Sequence, residues 1–132
     1  MAAVLLDSSV LIDLLRGHRG ARQRLQKLKA VGDLPHICAV NVDEIARGTG
    51  AEPERRVAER LVEGMRMVPL GAHEGWLAGS WRREFGSRGL TLAQGDCLIA
   101  AAAATIGGRL ATGNPSHFPM PELTVEHWPA GA

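Results

Sequence analysis

The hydrophobic positions begin with an unbroken apolar run, Ala2–Leu6, which meets a carboxylate at Asp7. Short apolar runs that end at a polar residue are typical of strands buried in a parallel sheet. Ser8 and Ser9 then form a helix N-cap pair, and apolar residues recur at helical spacing over Val10–Leu15. The pattern therefore predicts a strand that passes into a helix, with Asp7 at the carboxyl edge of the sheet.

The same two patterns alternate along the rest of the chain. We predict four further strands, over Leu34–Val40, Met67–Leu70, Arg109–Thr112 and Leu123–His127. Pro69 in the segment Met67–Leu70 favours an edge position for that strand. Apolar residues at helical spacing predict helices between most of the strands, and Asn41 is placed to cap the helix after the second strand. Strands that alternate with helices are typical of a parallel sheet between helices, so we predict one α/β domain over residues 1–132.

Composition and charge narrow the classes of function. A formal net charge of +1 excludes a globally basic nucleic-acid binder but leaves room for a local basic surface. Aromatic residues make up 4% of the chain and tyrosine is absent, so base stacking cannot dominate a nucleic-acid contact. Cys38 and Cys97 lie in apolar runs, which favours reduced core thiols. No run resembles a signal peptide or reaches transmembrane length, so a cytoplasmic location without membrane contact is expected.

Asp7 is the first residue with candidate chemistry. Open α/β sheets bind their ligands at the carboxyl edge of the strands. A carboxylate in that crevice is partly desolvated and needs a counter-charge, for which a divalent metal is the natural candidate. The structural alternative is that Asp7 only caps the helix that follows it.

Two further acids share this predicted environment. Glu44 follows the second strand, but it also lies three residues after Asn41, which is the capping-box position and a strong structural alternative. Asp96 lies in a helix predicted to begin at Thr91, and no charge follows it over Cys97–Ile106. A lone carboxylate on a buried helix is costly unless it is paired or binds a metal. Asp96 is also predicted to lie too deep in its helix to act as a cap.

The end of the fourth strand adds polar groups, because Thr112, Asn114 and His117 follow it. Where the strand ends meet, Asp7, Glu44 and Asp96 would repel one another, and Mg²⁺ or Mn²⁺ held by oxygen ligands would relieve that repulsion. Such a site can activate water and neutralise charge on a phosphodiester.

Basic residues form two clusters that favour an anion-binding surface. The first comprises Arg16, Arg19, Arg22 and Arg24, in a segment without acids, and the second comprises Arg82, Arg83 and Arg88. The second cluster lies at the end of a helix predicted over Ala72–Phe85. Trp76 and Trp81 of that helix are expected to face the core. A solvated helix face is the commoner explanation for such charges, but the missing acids favour contact with a polyanion.

Four stretches carry a resemblance to a known family. In chain order they read LLDSSVLIDLLRG from Leu5, AVNVDEIARG from Ala39, QGDCLIAAAAA from Gln94 and LATGNPSHF from Leu110. Together they resemble the PIN-domain ribonucleases, in particular the VapC-like toxins of bacterial toxin–antitoxin pairs. The resemblance implies a three-layer α/β/α fold with a mainly parallel central sheet, and Mg²⁺- or Mn²⁺-dependent endonucleolytic cleavage of RNA.

The resemblance also implies roles for individual residues. Its catalytic, metal-binding acids match Asp7, Glu44 and Asp96, and its residues that order ligands or water match Ser8 or Ser9, and Thr112. The fourth acidic position carries Asn114 here, with His117 where some members have a loop Asp. The amide oxygen of Asn114 can bind a metal but brings no charge, which leaves the occupancy of a second metal open. The two arginine clusters would then guide RNA to the acids.

Partners follow from the same resemblance. A toxin of this kind implies a VapB-like antitoxin and a homodimer. The apolar residues Leu11, Leu14 and Leu15, and the helices over Ala21–Leu28 and Val57–Val62, offer more apolar surface than one small sheet clearly needs. Some of it could form a groove for an amphipathic segment that sends an Arg or Lys to the acids, although all of it could equally be core.

Other classes remain open at this point. A phosphotransfer domain of the receiver or haloacid-dehalogenase type also begins with a strand and an Asp. The dehalogenase type needs a second Asp two residues after the first, and Ser9 occupies that position. The receiver type needs a lysine near one of the last strands, and Arg109 is the one basic residue there. A PIN scaffold that only binds is a further alternative, against which the three retained acids argue.

Overall fold

The structure is a computed structural model that describes residues 1–131. Its strands are β1 Ala3–Leu6, β2 Leu34–Cys38, β3 Arg66–Val68, β4 Arg109–Thr112 and β5 Thr124–His127. Its helices are α1 Ser8–Leu15, α2 Arg19–Ala30, α3 Ala39–Gly48, α4 Glu54–Glu63, α5 Ala72–Ser87 and α6 Gln94–Thr105. A 3₁₀ turn spans Pro115–His117.

The five strands form one sheet in the order β3-β2-β1-β4-β5, and every neighbouring pair is parallel. The predicted parallel sheet is confirmed, and the proline-bearing segment provides an edge strand. Strand β1 lies at the centre, with Leu5 opposite both His36 and Leu110. The Asp7 amide extends this pairing with a hydrogen bond of 2.8 Å to the carbonyl of Ala111. All carboxyl ends therefore share one edge, and Asp7 lies at its middle.

Apolar side chains cover both faces of the sheet, which explains the unbroken apolar runs. Leu5 and Cys38 point to one face and pack in a core with α5 and α6. Val4, Leu6 and Ile37 point to the other face and pack with α1, α2, α3 and α4. The result is the predicted three-layer α/β/α arrangement, because successive residues of a strand face opposite sides.

Helices α5 and α6 form an antiparallel pair. Glu74, in the first turn of α5, accepts a hydrogen bond of 2.7 Å from Thr105 at the end of α6. The last turns of α5 therefore approach the first turn of α6. Burial raises the pKa of the Cys97 thiol to about 11, and the charge of Arg82 partly offsets this shift.

Three local expectations are wrong. Helix α3 begins at Ala39 with Cys38 as its N-cap, so Asn41 is not the cap. Helix α6 begins at Gln94 rather than after Thr91, which puts Asp96 in its first turn rather than deep inside it. Trp76 is 79% exposed, because the buried stripe of α5 runs through Ala78, Trp81 and Phe85 and leaves position 76 off that face.

Both cysteines are free and buried, as expected of core thiols. Among residues 1–131, no helix combines the length and apolar character that crossing a bilayer requires.

Candidate active site

Asp7 is held in a fixed orientation by the elements on either side of it. It is buried, and its Oδ2 accepts hydrogen bonds from Ser9 Oγ at 2.9 Å and from Thr112 Oγ1 at 2.8 Å. It precedes α1, yet its side chain makes no capping hydrogen bond to that helix. The capping alternative for Asp7 is therefore wrong, and hydroxyl donors from α1 and β4 orient its carboxylate.

Glu44 joins the site through a second serine. Ser8 Oγ donates to Glu44 Oε1 at 2.6 Å, and Ser8 Oγ in turn accepts from Asn41 Nδ2 at 3.1 Å. The capping-box alternative for Glu44 is also wrong, because Cys38 and Asn41 occupy the two capping-box positions of α3. The α3 carboxylate is thus turned toward the start of α1.

Asn41 is the buried centre of this network. Its Oδ1 accepts from the Cys38 amide at 2.8 Å, and its Nδ2 donates to the Leu6 carbonyl at 3.1 Å as well as to Ser8. The side chain therefore connects β1, the start of α1 and the start of α3. Sequence reasoning gave Asn41 a capping role only. The sequence did contain a sign of this role, because Asn41 lies between the apolar residues Val40 and Val42. A polar side chain in such a position is typically buried and bonded to other groups of the protein.

Asp96 faces the same edge from α6. Burial is the main cause that raises its pKa, and the negative charges of Asp7 and Glu44 raise it further. His117 lowers the pKa of Asp96 and so opposes these effects; its Nδ1 lies 3.4 Å from Asp96 Oδ2. The Asp96 side chain is 22% exposed, so it lines the crevice rather than the core.

A glycine allows α6 to approach α3 closely. A Cβ built on Gly95 would lie 3.4 Å from Val40 Cγ1 and 3.7 Å from Glu44 Oε2. The residue next to Asp96 is therefore close to the Glu44 carboxylate. The three predicted acids, from α3, α6 and the end of β1, thus lie at the same edge of the sheet, where the charges of Asp7 and Glu44 raise the pKa of Asp96.

The cluster has little positive charge of its own. Among the ion pairs of residues 1–131, Asp7 and Glu44 take part in none, and Asp96 pairs only with His117. Converging carboxylates without a cationic side chain form a site for a cation, and oxygen donors suit Mg²⁺ and Mn²⁺. The residues present therefore fit a divalent metal.

The described side chains do not enclose an ion completely. In residues 1–131, no three His, Cys, Asp or Glu side chains converge tightly enough to hold an ion on their own.

The two candidates for the fourth position behave differently. Asn114 is exposed, and its backbone amide donates to Thr112 Oγ1 at 2.9 Å. Its side-chain amide has no partner among the hydrogen bonds of the described residues. His117, by contrast, reaches Asp96. Of the two, His117 is the one whose side chain contacts an acid.

The residues of the two arginine clusters differ in exposure and in what they contact. Arg16 lines a groove together with Glu44, and Arg82 is exposed on α5. Arg88 packs over the Phe85 ring at 4.4 Å. Arg19, Arg22 and Arg83 are exposed, whereas Arg24 is half-buried and its Nη1 is closed off from solvent without a hydrogen-bond partner among the described residues. The expectation that Arg24 faces solvent is therefore wrong in part.

A groove of about 430 Å³ runs between α1, α3 and α4, and Glu44 is the one predicted acid that lines it. We call it the α1/α3/α4 groove. Its lining residues are Ile12, Leu15, Arg16, Glu44, Ile45, Gly48, Thr49, Pro53, Glu54 and Val57. The predicted groove exists in part, because Leu15 and Val57 line it, whereas Leu11 and the α2 residue Leu28 are buried in the core. Its lining combines apolar side chains, such as those of Ile12, Leu15 and Val57, with the carboxylate of Glu44.

The fold and the acidic edge together define a class of α/β proteins with carboxylates at the carboxyl ends of parallel strands. The model of the PIN domain family matches residues 4–119, and the chain therefore belongs to the PIN domain family. This membership excludes the receiver and haloacid-dehalogenase alternatives.

Individual relatives agree with this assignment. The chain is 37% identical over 117 residues to Ribonuclease VapC10 of Mycobacterium tuberculosis, covering 89% of this chain and 86% of that protein. In the structure of VapBC2 from Rickettsia felis bound to a promoter DNA fragment, a chain superposes with a TM-score of 0.85 at 21% identity, over 96% of this chain and 98% of that one. In DNA-bound VapBC from Salmonella typhimurium, the TM-score is 0.83 at 22% identity, with coverage of 97% and 99%. At these identities the structural likeness concerns the fold.

Proposed function

We propose that this protein is a metal-dependent endoribonuclease that acts as the toxin of a toxin–antitoxin pair. The observation that carries the proposal is the cluster of Asp7, Glu44 and Asp96, which lies at the carboxyl edge of a PIN fold without a lysine or arginine partner. The relative named Ribonuclease VapC10 supports RNA as the substrate. The neighbouring VapBC structures support an antitoxin partner.

Asp7, Glu44 and Asp96 would hold Mg²⁺ or Mn²⁺. The bound ion would supply an activated water and neutralise negative charge on the phosphodiester. Ser9 and Thr112 fix one oxygen of Asp7, and Ser8 fixes one oxygen of Glu44. These hydroxyl donors keep the carboxylates oriented, so the site needs little reorganisation before reaction.

RNA needs positive charge beside so acidic a site, because the phosphate backbone is otherwise repelled. Arg16 and Arg82 are the first candidates, since Arg16 lines the groove that Glu44 also lines, and the charge of Arg82 acts on Cys97, the residue after Asp96. Arg82 lies on α5 and Arg16 follows α1, so the two belong to different layers of the fold. Arg19, Arg22, Arg83 and Arg88 would extend the basic surface outward. Arg24 is a weaker candidate because it is half-buried.

An antitoxin segment would occupy the α1/α3/α4 groove. Its apolar side chains would cover Ile12, Leu15 and Val57, which line an open groove in this structure. A basic side chain of the partner would reach Glu44 in the groove and compete there with the metal. Coexpression with the adjacent small reading frame, followed by purification, tests this partner. An active nuclease that never forms a complex would exclude the antitoxin and leave the nuclease standing.

The nuclease itself is tested on a pool of linear RNA with purified protein. We expect cleavage with Mg²⁺ or Mn²⁺ and none after chelation. Glu44→Gln and Asp96→Asn should lose activity, whereas Asp43→Asn, which removes an exposed acid of the same helix as Glu44, should keep it. Loss of activity in the first two variants with an unchanged circular dichroism spectrum would assign the effect to chemistry.

A PIN scaffold that binds RNA or protein without cutting is the remaining alternative. It predicts that wild-type protein retains RNA but produces no new ends under any metal condition. The uncompensated carboxylates argue against it, because a pure binding surface for RNA has no use for three buried or half-buried acids.

A further inference from the structure

We propose that Asp13 and the segment Trp128–Gly131 position the Asp7 carboxylate, although none of these residues belongs to the acidic cluster. We call the segment the strap. It follows β5, passes beside Gly113 and reaches α1, where the Gly131 amide donates a hydrogen bond of 3.0 Å to Asp13 Oδ2. The inference rests on the proposed function, because it assigns residues that support the same site.

The strap is fixed at both ends. At its start, the Trp128 amide donates to the Thr112 carbonyl at 2.8 Å, and the Trp128 side chain is buried in the core beside α1. At its other end, it is held by Asp13, which is itself buried. Among residues 1–131, the one other polar contact of this carboxylate is His18 Nε2 at 3.8 Å. A buried carboxylate needs a donor, so the bond from Gly131 explains why an acid is tolerated on the inner side of α1.

Gly113 connects the strap to Asp7. Its amide donates to Ser9 Oγ at 3.0 Å, and Ser9 Oγ donates to Asp7 Oδ2 at 2.9 Å. A Cβ built on Gly113 would lie 3.3 Å from the Trp128 carbonyl oxygen and 3.4 Å from Ala130 Cβ. It would also lie 3.4 Å from Ser9 Oγ. The strap and the Ser9 hydroxyl thus meet at Gly113, where little room is left for a side chain.

The direction of the Ser9 hydroxyl follows from these contacts. Because its oxygen accepts from the Gly113 amide, its own proton is free to point to Asp7. Ser9 and Asp13 are four residues apart on α1 and therefore share one face of that helix. The strap fastens this face to the end of β4. Releasing the strap from Asp13 would let Gly113 move away from Ser9, and the hydroxyl would lose its fixed direction.

A strap that only closes the core makes a different prediction. Its loss would then lower stability and leave the rate of RNA cleavage by the folded protein unchanged. Any effect on the rate would also add to that of Ser9→Ala, because the two sites would act independently. The rate at saturating RNA, measured in single and double variants, therefore separates a positioning role from a structural one.

The experiment compares kcat for RNA cleavage with the free energy of unfolding. We expect Asp13→Ala to lower kcat by about threefold to tenfold, less than the loss typical of residues that contact a metal-binding acid directly. Asp13→Asn should stay within about twofold of the wild type, because its amide oxygen still accepts from Gly131. The control is Glu74→Ala, which removes a buried carboxylate that accepts the Gly71 amide at 2.8 Å in another layer. It should lose stability and keep kcat.

Two further measurements test the path through Ser9. In the Ser9→Ala background, Asp13→Ala should have no additional effect on kcat, because the connection to Asp7 is already broken. Hydrogen exchange of the Gly113 amide, followed by nuclear magnetic resonance, should be faster in Asp13→Ala than in the wild type, and unchanged in Glu74→Ala. Gly131→Pro removes the donor N–H without changing α1 and should match Asp13→Ala, which keeps the test decisive if Asp13→Ala does not fold.

Three results would overturn the inference. They are an unchanged kcat in Asp13→Ala and Gly131→Pro, an equal loss of kcat in Glu74→Ala, and independent effects of Ser9→Ala and Asp13→Ala. Wild-type protein that cuts no RNA would instead contradict the proposed function on which the inference rests. The two failures are distinguishable, because the first requires an active wild type.

Discussion

Ser8 donates a hydrogen bond of 2.6 Å to Glu44, although 36 positions separate the two residues in the chain. The bond joins the first residue of α1 to the middle of α3 across the end of β1. It orients Glu44, the acid that α3 contributes to the predicted site. Because Ser8 also accepts from the buried Asn41, the Glu44 carboxylate is connected to the centre of the fold.

Replacing Ser8 with alanine should slow RNA cleavage without unfolding the protein. Glu44 would lose the donor that fixes its Oε1, and partners of this kind typically contribute about 10- to 100-fold in metal affinity or activity. The cleavage rate of Ser8→Ala should be compared with that of Ser116→Ala, an exposed serine of the 3₁₀ turn. A Ser8→Ala rate equal to the wild type at all metal concentrations would show that the bond has no functional role.

Asn41→Ala should destabilise the protein strongly. The fully buried amide would leave the Cys38 N–H and the Leu6 carbonyl without their partner. Each buried group left unpaired costs about 1–3 kcal/mol, so we expect a loss of about 2–4 kcal/mol in the free energy of unfolding. Urea denaturation measures it, with the exposed Asn114→Ala as control. A change of less than about 0.5 kcal/mol, the usual range of surface substitutions, would contradict the role of Asn41.

Val57→Asp should weaken antitoxin binding and leave the nuclease active. Val57 is exposed on α4 and lines the α1/α3/α4 groove. A carboxylate at this position would lose its hydration when an apolar partner segment covers it, which costs binding free energy. We expect the dissociation constant to rise by at least roughly tenfold. Val31→Asp, at an exposed valine that follows α2 and does not line the groove, is the matched control. Equal binding by both variants would show that the partner binds to another surface of the protein.

The pH dependence of stability should contain a contribution from Asp33. The hydrogen bond from Arg109, followed by one from the Ala2 amide, lowers the pKa of Asp33. A lowered pKa in the folded state means that the contribution is present above the unfolded pKa and is lost as the pH falls through the folded pKa. The difference in free energy of unfolding between wild type and Asp33→Asn should therefore be largest near neutral pH. It should shrink as the pH falls below about 4. Denaturation curves at several pH values test this, and a constant difference would contradict it.

The sequence was informative where apolar runs and helical spacing determine local structure. The run before Asp7 predicted a buried central strand, and the alternation of patterns predicted the parallel sheet and its carboxyl edge. The acids could be assigned to that edge because parallel strands end together. Distances across the edge depend on how α3 and α6 pack, and no local pattern encodes the contact between His117 and Asp96.

The errors have a common cause in tertiary contacts that override local preferences. Asn41 is a favourable N-cap residue, yet its amide bonds to the Leu6 carbonyl and the helix begins two residues earlier. Thr91 is also a favourable N-cap, but α6 begins three residues later. Trp76 was assigned to the core for its size, whereas the stripe of α5 that includes Trp81 and Phe85 excludes it.

Cleavage of a circular RNA pool tests the central claim most directly, because a circle has no ends and yields linear products only when an internal bond is cut. Wild-type protein with Mn²⁺ or Mg²⁺ should linearise the circles, and chelation should stop the reaction. Asp96→Asn should leave the circles intact while retaining the wild-type circular dichroism spectrum. Intact circles with wild-type protein and either metal, or linearisation that persists after chelation or in Asp96→Asn, would contradict a metal-dependent endoribonuclease built on Asp7, Glu44 and Asp96.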